Sequence, residues 1–363
     1  MDFGTIVHSS GLHGVEGYAG SAIQLALLLQ EGFLPVLQKD PQDRPTIVLL
    51  HAVNPVGMSQ YRRCNENNVD LNRNSIPDFD TFLEERDPNV ANYESFRSFL
   101  SPTDDDAVTA VIPTPWYAKV GIWLTLLPKL VEHGFVALKR AMVAGQYHHP
   151  RGIFFGGREL QPSIVKLQQF MNSRPELFRD APSMIWIDVH TGLGPFGEDS
   201  VHYHQTMPSG RPLPATVPTT AADMKEQVFS MAHSVVGSMA EQETSEAFKG
   251  YDLSKGMLTE FLAESYNGTG LFLVQEFGTL PAILVGRALI LDNMLYQQQD
   301  AIKEQDAIPA ATFTAEDGSY RSPWLRDAFY PQSTLWRASI VKRGVALMTQ
   351  AVDLSHRIAG RDA

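Results

Sequence analysis

The sequence has 363 residues, of which 44% are hydrophobic and 19% are charged, and this composition is typical of a folded globular protein rather than a disordered one. Lysine and arginine number 29 against 41 aspartate and glutamate residues, so the formal net charge is −12. A chain this acidic repels phosphate backbones, which excludes nucleic acid as an expected partner.

The amino-terminal part of the chain predicts a strand, a buried helix and a second strand. Residues 5–10 are a short β-branched run, residues 18–30 are almost wholly apolar, and residues 46–53 form a second β-branched run before Asn54-Pro55. A strand, a helix and a strand within about fifty residues are the unit of a sheet with parallel pairs and helical crossovers.

Residues 76–145 have a different character and predict a helical insertion between core strands. Charged and aromatic residues recur at helical spacing over 82–100, and apolar residues do so over 116–144. The acidic run 104–106 predicts a solvated loop rather than a calcium site, because no EF-hand spacing follows it.

The remaining sequence predicts that the sheet resumes after the insertion. Strands are expected at 184–190 and 271–275, with a short ribbon at 202–205 and a carboxy-terminal helix at 337–358. Because no Pro/Gly/Ser-rich linker divides the chain, we predict one α/β domain over 1–363 that contains the insertion. No apolar run reaches the roughly 20 residues of a membrane-spanning helix, and the lone Cys64 cannot form an internal disulfide, so a cytoplasmic protein without a membrane partner is expected.

Polar side chains lie at the ends of three predicted strands. His13 and Glu16 follow the first strand, His190 ends the strand at 184–190, and Glu276 follows 271–275. The spacing H-x-x-E alone arises by chance about once in a chain of this composition. The spacing becomes informative because it follows a predicted strand, and binding sites in sheets with crossover helices lie at the carboxyl ends of the strands.

These residues predict a zinc site. Two histidines and one glutamate are a common set in zinc hydrolases, where a fourth position stays open for water. His13, Glu16 and His190 are therefore the predicted ligands, although hydrogen-bonded structural histidines are the alternative. Burial would raise the pKa of Glu276 and suit it to act as a general base, unless it is a structural carboxylate paired with an arginine.

The polar loop at 54–74 carries candidate substrate-binding groups. Arg62, Arg63 and Arg73 lie close in sequence to Asp70 and Asn72. A guanidinium can hold a carboxylate with two parallel hydrogen bonds or stabilise an oxyanion. Asp70 could accept a hydrogen bond from a ligand histidine and fix its tautomer. An ordinary polar loop is the alternative interpretation.

Four motifs in order resemble the zinc carboxypeptidase (M14-like) superfamily: His13-x-x-Glu16, VDLNRN at 69–74, IDVHTG at 187–192 and QEFGT at 275–279. The longer segments SGLHGVEGYAGSA, RRCNENNVDLNRN, AGQYHHPRGIFFGG and IDVHTGLGPFG resemble the DUF2817 family within it. The similarity extends to LRDAFYP at 325–331 and so covers nearly the whole chain.

The resemblance implies a mixed, mostly parallel, twisted sheet of about eight strands between helices. Only twelve residues precede His13, fewer than is usual in the superfamily, so the sheet could be short at its amino-terminal edge. It also implies one zinc ion on His13, Glu16 and His190, with Asp70 supporting His13. Glu276 would be the base and then the proton donor.

Further residues are implied on the substrate side of the site. Asn72 and Arg73 would bind a substrate carboxylate. Arg62 or Arg63 would polarise the scissile carbonyl, with Arg62 favoured. Tyr251 would be the mobile tyrosine of classical carboxypeptidases, with Tyr266 as the alternative, and either tyrosine could instead be structural.

The predicted function is a zinc-dependent metallopeptidase or amidohydrolase that cleaves an amide bond next to a free carboxylate, in a peptide or an N-acyl amino acid. The alternative is an N-acyl amino acid deacylase resembling aspartoacylases and succinylglutamate desuccinylases. A catalytically inactive binding protein on the same scaffold is the second alternative. The same ligands could accept cobalt, nickel or copper, and the sequence leaves the oligomeric state open.

Overall fold

The computed structural model describes residues 3–29, 34–101, 120–206, 253–297 and 319–359. Its centre is a sheet of five strands in the order β2-β1-β3-β5-β4. The strands are β1 (Thr5–Ser10), β2 (Thr46–Leu50), β3 (Ser183–Gly192), β4 (Asp199–Thr206) and β5 (Thr269–Gly278). All neighbours pair in parallel except β4, which is antiparallel to β5. The prediction of a mixed, mostly parallel sheet flanked by helices is confirmed, with five strands in the described residues where the resemblance implied about eight.

The α-helices of the described residues surround this sheet. They are α1 (Gly17–Leu29), α2 (Leu34–Gln38), α3 (Pro55–Gln60), α4 (Phe79–Glu85), α5 (Arg97–Leu100), α6 (Ile122–His133), α7 (Phe135–Val143), α8 (Pro162–Ser173), α9 (Leu258–Ser265), α10 (Ala282–Gln297), α11 (Pro323–Phe329) and α12 (Thr334–Ile358). None of these helices is both long enough and apolar enough to cross a membrane.

Both faces of the sheet are buried, and the side chains along each strand point alternately to one face and to the other. Ile185 and Ile187 of β3 pack with α1 and α12 on one face, whereas Met184 and Trp186 pack with α8 and α9 on the other. Successive side chains of a strand point to opposite faces. The even-numbered positions at the carboxyl end of β3 therefore share the face of Trp186.

The described part of 76–145 is largely helical, as predicted. Helices α5 to α7 pack with α10 and α11 in one apolar cluster. The run 104–106 lies outside the described residues. One domain over 1–363 with an insertion at 76–145 stays a prediction.

Candidate metal centre

The three predicted ligands lie together at the carboxyl edge of the sheet. His13 follows β1, Glu16 ends the 3-10 turn Gly14–Glu16, and His190 lies near the end of β3. All three side chains are buried. One ligand atom from each lies within 4.8 Å of those of the other two.

Close backbone packing shapes the loop that carries His13 and Glu16. A Cβ at Gly14 would lie 2.1 Å from the carbonyl carbon of Gly57, so only glycine fits there. The N–H of Val15 donates to the carbonyl oxygen of Arg62 at 2.8 Å, which ties the loop to the segment after α3.

The two histidine rings turn the same nitrogen towards each other. The Nδ1 atoms of His13 and His190 are 3.1 Å apart. Glu16 Oε1 lies 2.9 Å from Nδ1 of His13, and Oε2 lies 3.1 Å from Nδ1 of His190. Three electron-pair donors thus converge on one small volume.

A carboxylate contacts the far side of each ring. His13 Nε2 lies 3.0 Å from Asp70 Oδ1, and His190 Nε2 lies 2.8 Å from Asp188 Oδ2. When each Nε2 carries the proton and donates it to its carboxylate, each Nδ1 presents a lone pair. Lone pairs this close repel unless a cation lies between them, and a carboxylate–histidine–metal arrangement is the usual form of such sites. The donor set therefore fits zinc.

Asp188 was not among the residues predicted from the sequence. It accepts a hydrogen bond of 2.7 Å from Ser9 Oγ, which in turn accepts one of 2.8 Å from Trp186 Nε1. The available signal was the pattern D-x-H inside a strand, because residues two apart share one face of a sheet. Asp188 and His190 both lie on the face of Trp186.

The buried charges of this centre favour a cation. Burial acts to lower the pKa of His190, but Asp188 and Glu16 raise that pKa well above its usual value. Burial acts to raise the pKa of Glu16, and His13 and His190 lower it below its usual range. Burial likewise opposes ionisation of Asp70, yet Arg63 and His13 lower its pKa well below the usual value.

Glu276 lies directly across from His190, as its partner in the pairing of β3 and β5. Its Oε1 accepts the N–H of Leu193 at 2.9 Å, and the side chain borders a cavity. Loss of hydration, followed by the negative charge of Glu16, raises the pKa of Glu276 to about 7. A carboxyl group with that pKa can exchange a proton near neutral pH.

Arg63, and not the favoured Arg62, lies beside this centre. Arg63 Nε donates to Asp70 Oδ2 at 2.9 Å, Nη1 contacts Glu16 Oε1 at 3.3 Å, and the residue borders the cavity. Arg62 does not line it. Its Nε lies 3.3 Å from Oδ2 of buried Asp292, and its guanidinium lies 3.4 Å from the centre of the Tyr296 ring. The preference for Arg62 is therefore corrected, because a buried carboxylate holds that guanidinium away from the centre.

Asn72 and Arg73 border the same cavity and are held from behind. Asp70 accepts the N–H of Asn72 at 3.0 Å, and Asn72 Oδ1 accepts the N–H of Leu258 at 3.1 Å. Arg73 donates from Nε and Nη2 to the carbonyl oxygen of Val143 at 3.1 and 2.6 Å. These bonds fix the orientation of both side chains.

The two candidate tyrosines have different outcomes. Tyr251 lies outside the described residues, so its role stays a prediction. Tyr266 is buried, donates its hydroxyl to the carbonyl oxygen of Ala181 at 2.7 Å and packs against Phe272. It does not line the cavity and has a structural role.

The cavity has a volume of about 290 Å³ and joins the polar groups to an apolar wall. The polar groups that border it at this centre are His13, Arg63, Asn72, Arg73, His190 and Glu276. Much of the remaining wall comes from α6, α7 and α10. Helices of the predicted insertion therefore enclose the space next to the ligand set.

The family described as "Protein of unknown function (DUF2817)" matches residues 3–343. No curated protein matches the sequence. Among solved structures, the chain is similar to a "Putative metallopeptidase" from Shewanella baltica OS155, with 13% identity, a TM-score of 0.35 and coverage of 82% of this chain and 76% of that chain. It is also similar to a "putative metallopeptidase" from Shewanella amazonensis SB2B, with 12% identity, a TM-score of 0.33 and coverage of 82% of this chain and 77% of that chain. A third similar structure is murein-tripeptide amidase MpaA from Escherichia coli O157, with 13% identity, a TM-score of 0.29 and coverage of 82% of this chain and 81% of that chain.

Proposed function

This chain belongs to the DUF2817 family, and we propose that it is a zinc-dependent hydrolase that cleaves an amide bond next to a free carboxylate. One observation carries the proposal. Nδ1 of His13, Nδ1 of His190 and the carboxylate of Glu16 converge within 4.8 Å, and each ring is held from behind by a carboxylate. A set of two histidines and one glutamate is typical of zinc hydrolases.

His13, Glu16 and His190 would hold the metal. Zinc bound there supplies a Lewis acid that polarises a carbonyl oxygen and makes a water molecule more acidic. Asp70 and Asp188 orient the two rings, since each contacts the Nε2 atom that faces away from the ligand set. Ordered rings of this kind strengthen metal binding.

Glu276 would move the proton. A carboxylate oxygen of Glu276 takes a proton from the attacking water and returns it to the leaving nitrogen, and a pKa of about 7 suits both steps near neutrality. Arg63 would donate a hydrogen bond to the oxygen on which negative charge develops. Its contact with Asp70 holds the guanidinium at the cavity.

Asn72 and Arg73 would select substrates with a free carboxylate. An amide N–H and a guanidinium both donate hydrogen bonds to a carboxylate, and both residues border the cavity that contains the ligand set. Tyr251 stays a candidate for a further substrate contact.

Deacylation of N-acyl amino acids is the second candidate, and the cavity favours it. A volume of about 290 Å³ is at the low end of the roughly 300–1,000 Å³ of small-molecule sites. A small amide therefore fits better than a long peptide. An inactive binding protein is disfavoured, because the ligand set and Glu276 are all retained.

Metal analysis of the purified protein, followed by assays on peptides and N-acyl amino acids, tests the proposal. We expect one zinc ion per chain, hydrolysis of at least one series, and neither zinc nor activity in His13→Ala. Glu276→Gln should keep the metal and lose turnover, whereas Glu198→Gln, at an exposed glutamate, should keep both. A protein without stoichiometric metal, or a fully active Glu276→Gln variant, contradicts the proposal.

A further inference from the structure

The cavity wall away from the ligand set is mainly apolar. Six apolar side chains form much of it: Leu126 of α6, Leu138 and Met142 of α7, and Val285, Leu289 and Ile290 of α10. Such a wall contacts water unfavourably and gains when an apolar group replaces that water. Lys139 and Arg287 also border the cavity, and both already interact with other groups of the protein.

Gly286 keeps the cavity open on the side of α10. A Cβ at this position would meet only the Cε and Sδ atoms of Met142, at 3.6 and 3.9 Å. These are ordinary van der Waals distances, so the space beside Gly286 is free of backbone. Glycine is a poor helix former inside a helix, yet it stands here at the fifth position of a 16-residue helix. A larger side chain would extend into the cavity without backbone strain.

The polar and apolar parts of the cavity are continuous. Phe154 links them, because its ring lies 4.6 Å from the guanidinium carbon of Arg63 and 6.0 Å from that of Arg73. It also belongs to the apolar cluster of Leu138 and Met142. A molecule whose amide reaches the ligand set would thus place a neighbouring apolar group against α7 and α10.

We propose that the cavity binds a compact apolar group of the substrate, which lies among α6, α7 and α10 while the amide lies at the ligand set. The inference rests on the proposed function, because it names the substrate class of the same site. The apolar group is either the acyl chain of an N-acyl amino acid or the side chain of a carboxy-terminal residue. Both present the same chemistry to the wall, and product binding distinguishes them.

Calorimetry of the zinc-loaded protein with two series of products tests this inference. One series is the straight-chain carboxylates from acetate to octanoate, and the other is alanine, leucine and phenylalanine. In one of the series, affinity should rise about fourfold for each methylene group buried, until the cavity is full. Gly286→Phe should weaken binding of the largest ligand at least tenfold and leave the smallest unchanged.

A matched control and a second variant keep the result interpretable. Leu284→Phe adds a ring on the same helix at a position that does not line the cavity, and it should bind every ligand like the wild type. Gly286→Leu adds less volume and should shorten the longest chain that binds well. If Gly286→Phe fails to fold, the wild-type series and Gly286→Leu decide the question.

Flat affinity across both series in the wild type overturns the inference. If amides are nevertheless hydrolysed, the proposed function stands without it. If affinity rises along a series but the protein hydrolyses no amide, the apolar pocket is supported and the proposed function is refuted. Tighter binding of glutarate than of pentanoate in the same calorimetry would also overturn it, in favour of recognition by Lys139 and Arg287.

Discussion

Replacing Asp188 by asparagine tests the carboxylate–histidine arrangement of the candidate metal centre. Asp188 is buried, lies 2.8 Å from His190 Nε2 and accepts a hydrogen bond of 2.7 Å from Ser9. Asparagine has nearly the same size, so packing is preserved. Its amide N–H₂ can donate to Nε2 of His190, which would move the ring proton to Nδ1 and remove the lone pair that a metal needs.

The expected loss follows from that change of tautomer. Removing an outer partner of a ligand histidine typically weakens metal affinity about 10–100-fold, which corresponds to about 1.4–2.8 kcal/mol of binding free energy. His13 and its partner Asp70 are untouched by the substitution. We therefore expect weakened zinc binding in Asp188→Asn rather than a complete loss.

Zinc affinity is best measured by competition with a chelator of known affinity, at a pH where the wild type is loaded. Asp199→Asn is the matched control, because Asp199 is also a buried acid of the sheet but pairs with Arg343 at 3.0 Å and Gln275 at 2.6 Å. If Asp188→Asn folds and binds zinc like the wild type, Asp188 does not hold the ligand ring as described. Equal weakening in both variants would indicate a general effect on the sheet.

Three further outcomes are expected. Removing zinc with a chelator should lower the melting temperature, since metal at a hundred times its dissociation constant contributes about 2.7 kcal/mol, and an unchanged melting curve would contradict a native-state metal site. Arg63→Ala should lower kcat/KM about 100-fold, and it should also cost stability because it removes the partner of buried Asp70. Asp292→Ala should cost about 3–5 kcal/mol in denaturant unfolding, because it strands the buried guanidinium of Arg62, but the folded variant should keep its kcat/KM. Loss of activity in folded Asp292→Ala with none in Arg63→Ala would restore Arg62 to the site. Burial raises the pKa of Cys64 to about 12, so the folded state holds the thiol proton more tightly than the unfolded state, and stability should fall as pH rises from about 9 to 12. The native thiol should then stay unreactive towards a thiol reagent at pH 8, and rapid modification before unfolding would refute this.

Much of the fold could be predicted because its signals are local. The first strand is Thr5–Ser10 in both the prediction and the structure, and the last helix begins at Thr334, three residues before its predicted start. Runs of β-branched residues, helical spacing of apolar residues and turn residues each involve only a few neighbouring positions, so a single sequence is enough to recognise them. Membership of the DUF2817 family, which the motifs predicted, is confirmed over residues 3–343.

The site was only partly predictable. His13 and Glu16 follow one strand, and His190 and Glu276 lie near the ends of two others. Neighbouring strands bring these ends to one edge of the sheet, so the proximity of the four residues could be expected. Asp188 was missed because it lies inside the mainly apolar strand MIWIDVH at 184–190. Its contact with His190 can be inferred there only from the rule that residues two apart point to the same face of a sheet.

The sequence by itself determined the strands, the family and the residue types that could hold a metal, because these depend on local periodicity and on motif order along the chain. Tertiary structure alone decided which arginine faces the ligand set, since Arg62 turns towards Asp292, 230 residues further along. It also decided the cavity, which Gly286 of α10 and Met142 of α7 both line. Contacts between residues so far apart in sequence depend on how helices pack against each other. The hydrophobic spacing within one helix does not reveal which other helix it packs against.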